Sequence, residues 1–381
     1  MGWRMSEWRA ILAAIAAGQV AGEPMFLATV VQTTGSTYRR PGARMLIRGD
    51  EFVGTISGGC LESDVVEYTR QRMSSGEPIV VTYDMSADTD LIWGFGIGCN
   101  GTVQVLIERL QPEYCCDPIA FIQSCYQQRQ PGVLVTVFAA APTTTVAVGS
   151  RMMVLLGKTT TDITEPALTA QLMRDGALTR SQVRRYDWAT GWAEVLIEVI
   201  EPPLPLLLIG AGRDAVPLAQ LAQGLGWEVT VVDGRASAAT PERFAFVDRV
   251  VQTRREVLAQ DLAAVGLDDR TVAVVMTHNY FDDRAALECL LPSPVQYVGL
   301  LGSRDRTQRL LEEVRSTGLQ VTPEQYARLY APVGLDIGAD TPETIALAIV
   351  AEIQRVVTRQ SGHSLREERR SRRPASEFQS S

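Results

Sequence analysis

The stretch Leu206-Leu207-Leu208-Ile209-Gly210-Ala211-Gly212-Arg213-Asp214-Ala215, followed as far as Asp233, settles what kind of sheet this chain builds. An apolar run enters a glycine turn, a helical stretch follows, and a second strand over residues 227–232 ends in an acid. Strand, glycine turn, helix, strand and acid is the order of the first βαβ of a dinucleotide-type fold. Gly210 permits the tight turn and Gly212 lets a phosphate approach the helix N-terminus, with Ala215 in place of a third glycine. Asp233 lies about 20 residues on, where an acid binds a ribose hydroxyl. Strands over 271–276 and 295–298, with helices between, predict a parallel sheet covered on both faces. Residues 341–357 predict a last helix, with Pro342 near its first position.

Ligands of such sheets bind outside the carboxyl ends of the strands. Four segments converge there: Gly210-Ala211-Gly212, Asp233-Gly234-Arg235, Thr277-His278-Asn279 and Gly299-Leu300-Leu301-Gly302-Ser303-Arg304. In the last, Ser303 is the expected N-cap, and Gly302, Ser303 and Arg304 outline a second anion site. His278 reads either as a proton-transfer group at the mouth of the site or as a polar loop residue.

This unit begins past the middle of the chain. In front of it, residues 3–17 predict a helix, 26–32 a strand, and 43–47 with 51–56 a hairpin across Gly49-Asp50. A helix over 60–73 and strands over 79–83 and 102–108 follow. A second stretch holds a helix and strands near 133–138, 145–148, 152–155 and 193–200. Glu201-Pro202-Pro203-Leu204-Pro205 is a stiff boundary. No internal repeat is legible. The expected architecture is α/β: a C-terminal Rossmann-like parallel sheet (204–360) and a separate N-terminal α/β domain with a mixed sheet. That domain covers 1–110, is completed by 111–203, and the chain ends in an arginine- and serine-rich tail (361–381) that reads as disordered.

Two cysteines of the front half sit among glycines. Ser57-Gly58-Gly59-Cys60-Leu61-Glu62 leads from strand to helix, so Cys60 lies near a helix N-terminus, where the dipole favours thiolate. Trp93-Gly94-Phe95-Gly96-Ile97-Gly98-Cys99-Asn100-Gly101 sets Cys99 in a glycine loop. Glycines so dense let backbone and thiol approach a ligand or each other. A thiolate pair suits molybdenum, zinc, sulfur or a redox ligand, but zinc would want two further ligands and no histidine is near. Cys60 and Cys99 are therefore the candidate metal or sulfur contacts. Thr34-Gly35-Ser36-Thr37-Tyr38-Arg39-Arg40-Pro41-Gly42 adds hydroxyls and arginines suited to a phosphate or a pterin's polar edge, or forms a solvated turn. Gly157-Lys158-Thr159-Thr160 lacks the earlier glycine of a phosphate loop.

The 381 residues carry a net charge of -8, which argues against a general nucleic-acid binder. No apolar run approaches about 18 residues, and residues 1–18 lack a signal-peptide pattern, so neither a membrane span nor secretion is expected. Six cysteines without a paired framework suit a reducing cytoplasm. Lys158 is the only lysine, which nearly excludes Schiff-base chemistry.

These motifs together resemble the XdhC/CoxI family, the xanthine dehydrogenase accessory proteins. The matching residues are Ala28-Thr29-Val30-Val31-Gln32-Thr33-Thr34-Gly35-Ser36, Arg40-Pro41-Gly42-Ala43-Arg44-Met45-Leu46, Gly58-Gly59-Cys60-Leu61-Glu62 and Gly96-Ile97-Gly98-Cys99. Later come Gly210-Ala211-Gly212, Val231-Val232-Asp233-Gly234-Arg235, Gly299-Leu300-Leu301-Gly302-Ser303-Arg304 and Ala331-Pro332-Val333-Gly334-Leu335-Asp336-Ile337-Gly338-Ala339. The resemblance implies a cytoplasmic chaperone that binds molybdenum cofactor, as molybdopterin or its dinucleotide form. Such a chaperone protects the cofactor while its sulfido ligand is installed and passes it to an apo molybdenum hydroxylase. It also implies a cysteine desulfurase and cofactor-maturation enzymes as partners, and is compatible with a homodimer. Asn100 after the second cysteine, and Arg213-Asp214-Ala215 in the fingerprint, depart from many members and leave the hydroxylase served open. Two other readings stand beside it: an NAD(P)-dependent oxidoreductase with His278 as proton donor, and a nucleotide-binding thiol redox sensor using Cys60 and Cys99.

Overall fold

The computed structural model describes residues 2–72, 76–85, 101–111, 114–364 and 366. The chain divides into two compact units, Trp3–Pro203 and a second beginning at Leu204.

The first unit runs α1 (Gly2–Ala21), β1 (Met25–Gly35), β2 (Arg44–Arg48), β3 (Glu51–Gly54), α2 (Glu62–Arg72), β4 (Ile79–Asp84) and β5 (Gly101–Arg109). It continues with α3 (Pro118–Gln127), β6 (Gly132–Ala140), β7 (Arg151–Leu155), β8 (Lys158–Thr161), α4 (Pro166–Arg174), β9 (Gln182–Trp188) and β10 (Gly191–Ile200). Two five-stranded antiparallel sheets result, in the orders β3-β2-β1-β5-β4 and β8-β7-β6-β10-β9. The second sheet repeats the topology of the first. This corrects the expectation of no internal repeat.

From β1 to β3 the repeat holds residue by residue at a separation of 107 positions (44 to 151). Thr29 pairs with Arg44 in one sheet and Thr136 with Arg151 in the other. Gly42 N–H donates to the Val30 carbonyl and Gly149 N–H to the Val137 carbonyl, both at 2.8 Å, and both glycines have φ 89°. Where the first copy has Gly22 and Gly49 in the left-handed region, the second has Arg129 and Leu156 in the same conformation. Two buried ion pairs cross between the sheets as reciprocal partners, Arg44 with Glu198 and Arg151 with Glu108. Few side chains survive in both copies, Pro24/Pro131, Leu27/Leu134, Gly42/Gly149 and Met45/Met152 among them. The sequence trace of duplication is correspondingly faint.

The two sheets share a core in which Trp8, Ile11 and Ile15 of α1 and Ile119 and Ile122 of α3 meet Leu27, Leu46, Leu134 and Met153. On its other side each sheet carries its own helix: Val65 of α2 packs with Val30 and Val105, and Leu168 of α4 with Val137 and Val195. The stretch 145–148, expected as a strand, is turn and irregular chain. It is the second copy's loop between β6 and β7, closed by the Gly149 bond.

The second unit runs β11 (Pro205–Ile209), α5 (Ala215–Gly224), β12 (Glu228–Asp233), β13 (Arg249–Gln252), α6 (Leu258–Val265), β14 (Val272–Val275), α7 (Tyr280–Leu290) and β15 (Tyr297–Leu300). It ends with α8 (Arg304–Ser316), the short α9 (Pro323–Tyr326), β16 (Leu329–Tyr330) and α10 (Pro342–Val357). The sheet is parallel throughout, in the order β13-β12-β11-β14-β15-β16. Numbered within the unit this is 3-2-1-4-5-6, the order of dinucleotide-binding sheets. Alternation along the strands supplies both faces. Leu206, Leu208, Val272 and Val274 pack on α5 and α10, while Leu207, Ile209, Ala273 and Val275 pack on α6, α7 and α8. That double burial is why the sequence here is a continuous apolar run rather than an alternating one.

Candidate functional site

In the second unit, strand order reverses between β11 and β14, so the loops after these strands flank the switch-point crevice. Gly210 (φ 120°) turns where a Cβ would come 2.4 Å from the Met276 carbonyl oxygen, a contact only glycine avoids. Arg243 holds the outer side of the turn, donating to the carbonyls of Ala211 (2.9 Å) and Gly212 (2.8 Å). The crevice encloses about 320 Å³ and is lined by Asp233, Arg235, Thr253, Arg255, Thr277 and His278, among others.

Asp233 and His278 are brought to this crevice, but each is already engaged. Asp233 is buried, and its Oδ2 accepts from Ala211 N–H (2.6 Å) and from Arg235 (2.6 Å). Its Oδ1 accepts from the Arg235 amide (2.7 Å) and Nε (3.0 Å). Burial raises the pKa of this carboxyl, yet the Arg235 guanidinium and the two amides hold it below the ordinary aspartate value. A ribose hydroxyl would have to share an acid that is clamped by a cation, and the group presented at the crevice is the guanidinium of Arg235. His278 adopts φ 60°, strained for a residue with a Cβ, and its Nε2 lies 2.8 Å from Asp214 Oδ2. Gly212 makes room for this pair: a Cβ there would sit 2.4 Å from Asp214 Oδ1 and 3.5 Å from the imidazole. The glycine expected to admit a phosphate thus admits an acid–imidazole pair that can hold or move a proton.

Ser303 caps α8 as expected, accepting from the Arg306 amide at 3.3 Å, and Arg304 is exposed. Gly302, Ser303 and Arg304 are not among the residues lining the crevice. The link runs through Arg306, 2.7 Å from the fully buried Asp283, which accepts from the Thr277 hydroxyl at 2.5 Å. The second glycine turn therefore braces the His278 loop.

In the first unit, the loop between β3 and α2 is organised from inside by Glu62. This buried carboxylate accepts from the hydroxyls of Thr55 and Ser57 and from the amides of Ile56 (3.1 Å), Ser57 (2.8 Å) and Leu61 (3.2 Å). Burial pushes its pKa up, but the Ser57 and Thr55 hydroxyls and the amides outweigh it and leave it below the ordinary glutamate value. The Ser57 oxygen in turn accepts from the amides of Gly59, Cys60 and Leu61. Glu62 is thereby placed as the loop's internal staple, while Gly58 and Gly59 are exposed and Cys60 is half-buried. Gly35 and Ser36 lie exposed at the end of β1, where Gly35 pairs with Gly101. The ring of Tyr38 brings their loop onto Gly58. Gly98 and Cys99 lie outside the described residues. Among the described residues no helix is long and apolar enough to cross a membrane.

Residues 206–353 match the XdhC Rossmann domain, and residues 19–84 match the XdhC and CoxI family. The chain is 33% identical over 332 residues to a probable xanthine dehydrogenase subunit of Bacillus subtilis, covering 87% of this chain and 92% of that protein. The chain belongs to the XdhC and CoxI family. The molybdenum cofactor insertion chaperone PaoD of Escherichia coli is 23% identical, across 91% of this chain and 88% of its own. A crystal structure described as a xanthine dehydrogenase from Bacillus halodurans superposes with a TM-score of 0.73 at 26% identity, over 93% of this chain and 97% of that one.

Sequence reasoning about this XdhC/CoxI chain missed Asp214, Arg243 and Ser57. Asp214 and His278 are far apart in sequence and meet only because β11 and β14 are neighbours. Ser57 had a signal, standing before Gly58-Gly59 at a strand-to-helix turn, the place of an amide-gathering hydroxyl.

Proposed function

We propose that this protein binds molybdenum cofactor, shields it while its terminal sulfido ligand is installed, and delivers it to an apo molybdenum hydroxylase of the xanthine dehydrogenase class. A cysteine desulfurase and cofactor-maturation enzymes are the partners this reading requires. The observation that carries it is the full-length relationship to a relative named as a molybdenum cofactor insertion chaperone. The donor set fits such cargo. Cys60 stands on a glycine loop against which the exposed Tyr38 packs, and Arg40 of the Tyr38 loop is exposed. Arg235 and Arg255, each paired with one aspartate, line the crevice where a phosphate or nucleotide extension would lie. The metal's redox chemistry belongs to the cargo and its hydroxylase; the chain's residues bind, orient and exclude water.

A second reading, the NAD(P)-dependent oxidoreductase with His278 as proton donor, is favoured by the Asp214–His278 pair and weakened by the clamped state of Asp233. A transfer assay tests the first. Protein purified from cofactor-producing cells, mixed with an apo-hydroxylase and a sulfide source, should activate it faster than the same amount of released cofactor. Equal rates with and without the protein would refute delivery.

A further inference from the structure

The duplication in the first unit separates scaffold from site. Whatever both copies keep serves the fold: Gly42 and Gly149 close equivalent loops, and Arg44 and Arg151 make equivalent ion pairs. What the first copy alone carries needs another explanation. At the positions equivalent to Tyr38, Arg39 and Arg40 the second copy has Thr145, Val146 and Ala147. Its connection after β8 is only Asp162-Ile163-Thr164-Glu165, with nothing corresponding to Gly58-Gly59-Cys60.

Tyr38 is 70% exposed, an unusual place for a large aromatic ring. Its Cγ, Cδ1 and Cδ2 lie 3.5, 3.6 and 3.6 Å from where a Cβ on Gly58 would be, so one ring face rests on Gly58 and the other is open. The loop is held ready. Arg39 is tied to Glu7 of α1 (2.5 Å), Thr37 donates to the Arg39 carbonyl (3.0 Å), and Glu7 also accepts from the Thr55 amide (2.6 Å) of the neighbouring loop. A braced aromatic platform needs no ordering when a ligand arrives. Two residues on in the same loop is the exposed Arg40, and Gly58 beneath the ring leads through Gly59 to Cys60. A flat, polar, anionic heterocycle can use both a stacking face and a cation.

We propose that Tyr38 and Arg40 recognise the pterin of the cargo, Tyr38 by stacking on its ring and Arg40 by pairing with its anionic substituent. The inference rests on the cofactor-binding reading and goes beyond it in naming the first copy's loop as the pterin subsite. The test is the pterin retained per chain after anaerobic purification from cofactor-producing cells, read as its fluorescent oxidation product. Thermal unfolding run in parallel shows that each variant is folded. Tyr38→Ala should retain roughly ten-fold less pterin, the scale of one lost base-type stacking contact. Arg40→Ala should also lose pterin, while Tyr38→Phe and the second-copy control Thr145→Ala should match the unsubstituted protein. A folded Tyr38→Ala protein that keeps its pterin overturns the proposal and leaves cofactor binding standing. If it keeps pterin but no longer captures the hydroxylase, Tyr38 is a docking residue, and the proposal is again overturned. Absence of pterin from the unsubstituted protein removes both readings together.

Discussion

Glu62 shows how a residue flagged as a ligand can be a structural element of the same loop. Its carboxylate meets only donors: two hydroxyls and three amides. Glu62→Gln would set an amide N–H₂ against such donors, and should cost roughly 1–3 kcal/mol near neutral pH. The pH dependence follows from the lowered pKa. A carboxyl depressed on folding contributes stability above its unfolded value, near 4.5, that is lost as pH falls through the folded value. The two proteins should therefore differ in unfolding free energy at pH 7 and converge in acid below pH 4.5; a gap that persists unchanged in acid would contradict this role. In the sequence, Glu62 and Cys60 looked alike, two polar residues at one turn. Burial tells them apart, and burial is a property of the packed loop.

At the scale of elements, the buried strands of the parallel sheet were legible and its edge strands were not. Residues 206–209 are covered on both faces and leave a run that no loop would carry. β13 and β16 close the edges of the same sheet only partly buried, so neither leaves the fully apolar run of the equally short β14 and β15. The duplication stayed hidden because it is preserved in backbone conformation and reciprocal ion pairs, not in side-chain identity. Those pairs make a prediction. Arg44–Glu198 and Arg151–Glu108 are both buried, and removing one partner strands a charge. Arg151→Ala and Arg44→Ala should each destabilise the protein by about 3–5 kcal/mol, and by similar amounts, if the two copies are equivalent scaffolds. Denaturant unfolding measures both; a loss confined to one would mean that the copies contribute unequally.

For the whole molecule, the glycine turn at Gly210 announced a parallel sheet, and the strand order 3-2-1-4-5-6 places its crevice between β11 and β14. How that crevice is furnished was not legible. The Asp214–His278 pair and the bond from the Ala211 amide to Asp233 depend on distances between loops that only the assembled sheet sets. These contacts and the thiol-bearing loop of the first unit are the features on which the proposed cofactor carriage draws. The most direct test is anaerobic purification from cells making excess cofactor, followed by iodine oxidation, fluorescence detection of pterin, elemental analysis of molybdenum and mass spectrometry of nicotinamide. Pterin and molybdenum in stoichiometric amounts are predicted. Nicotinamide without pterin would contradict cofactor carriage and put the oxidoreductase reading in its place.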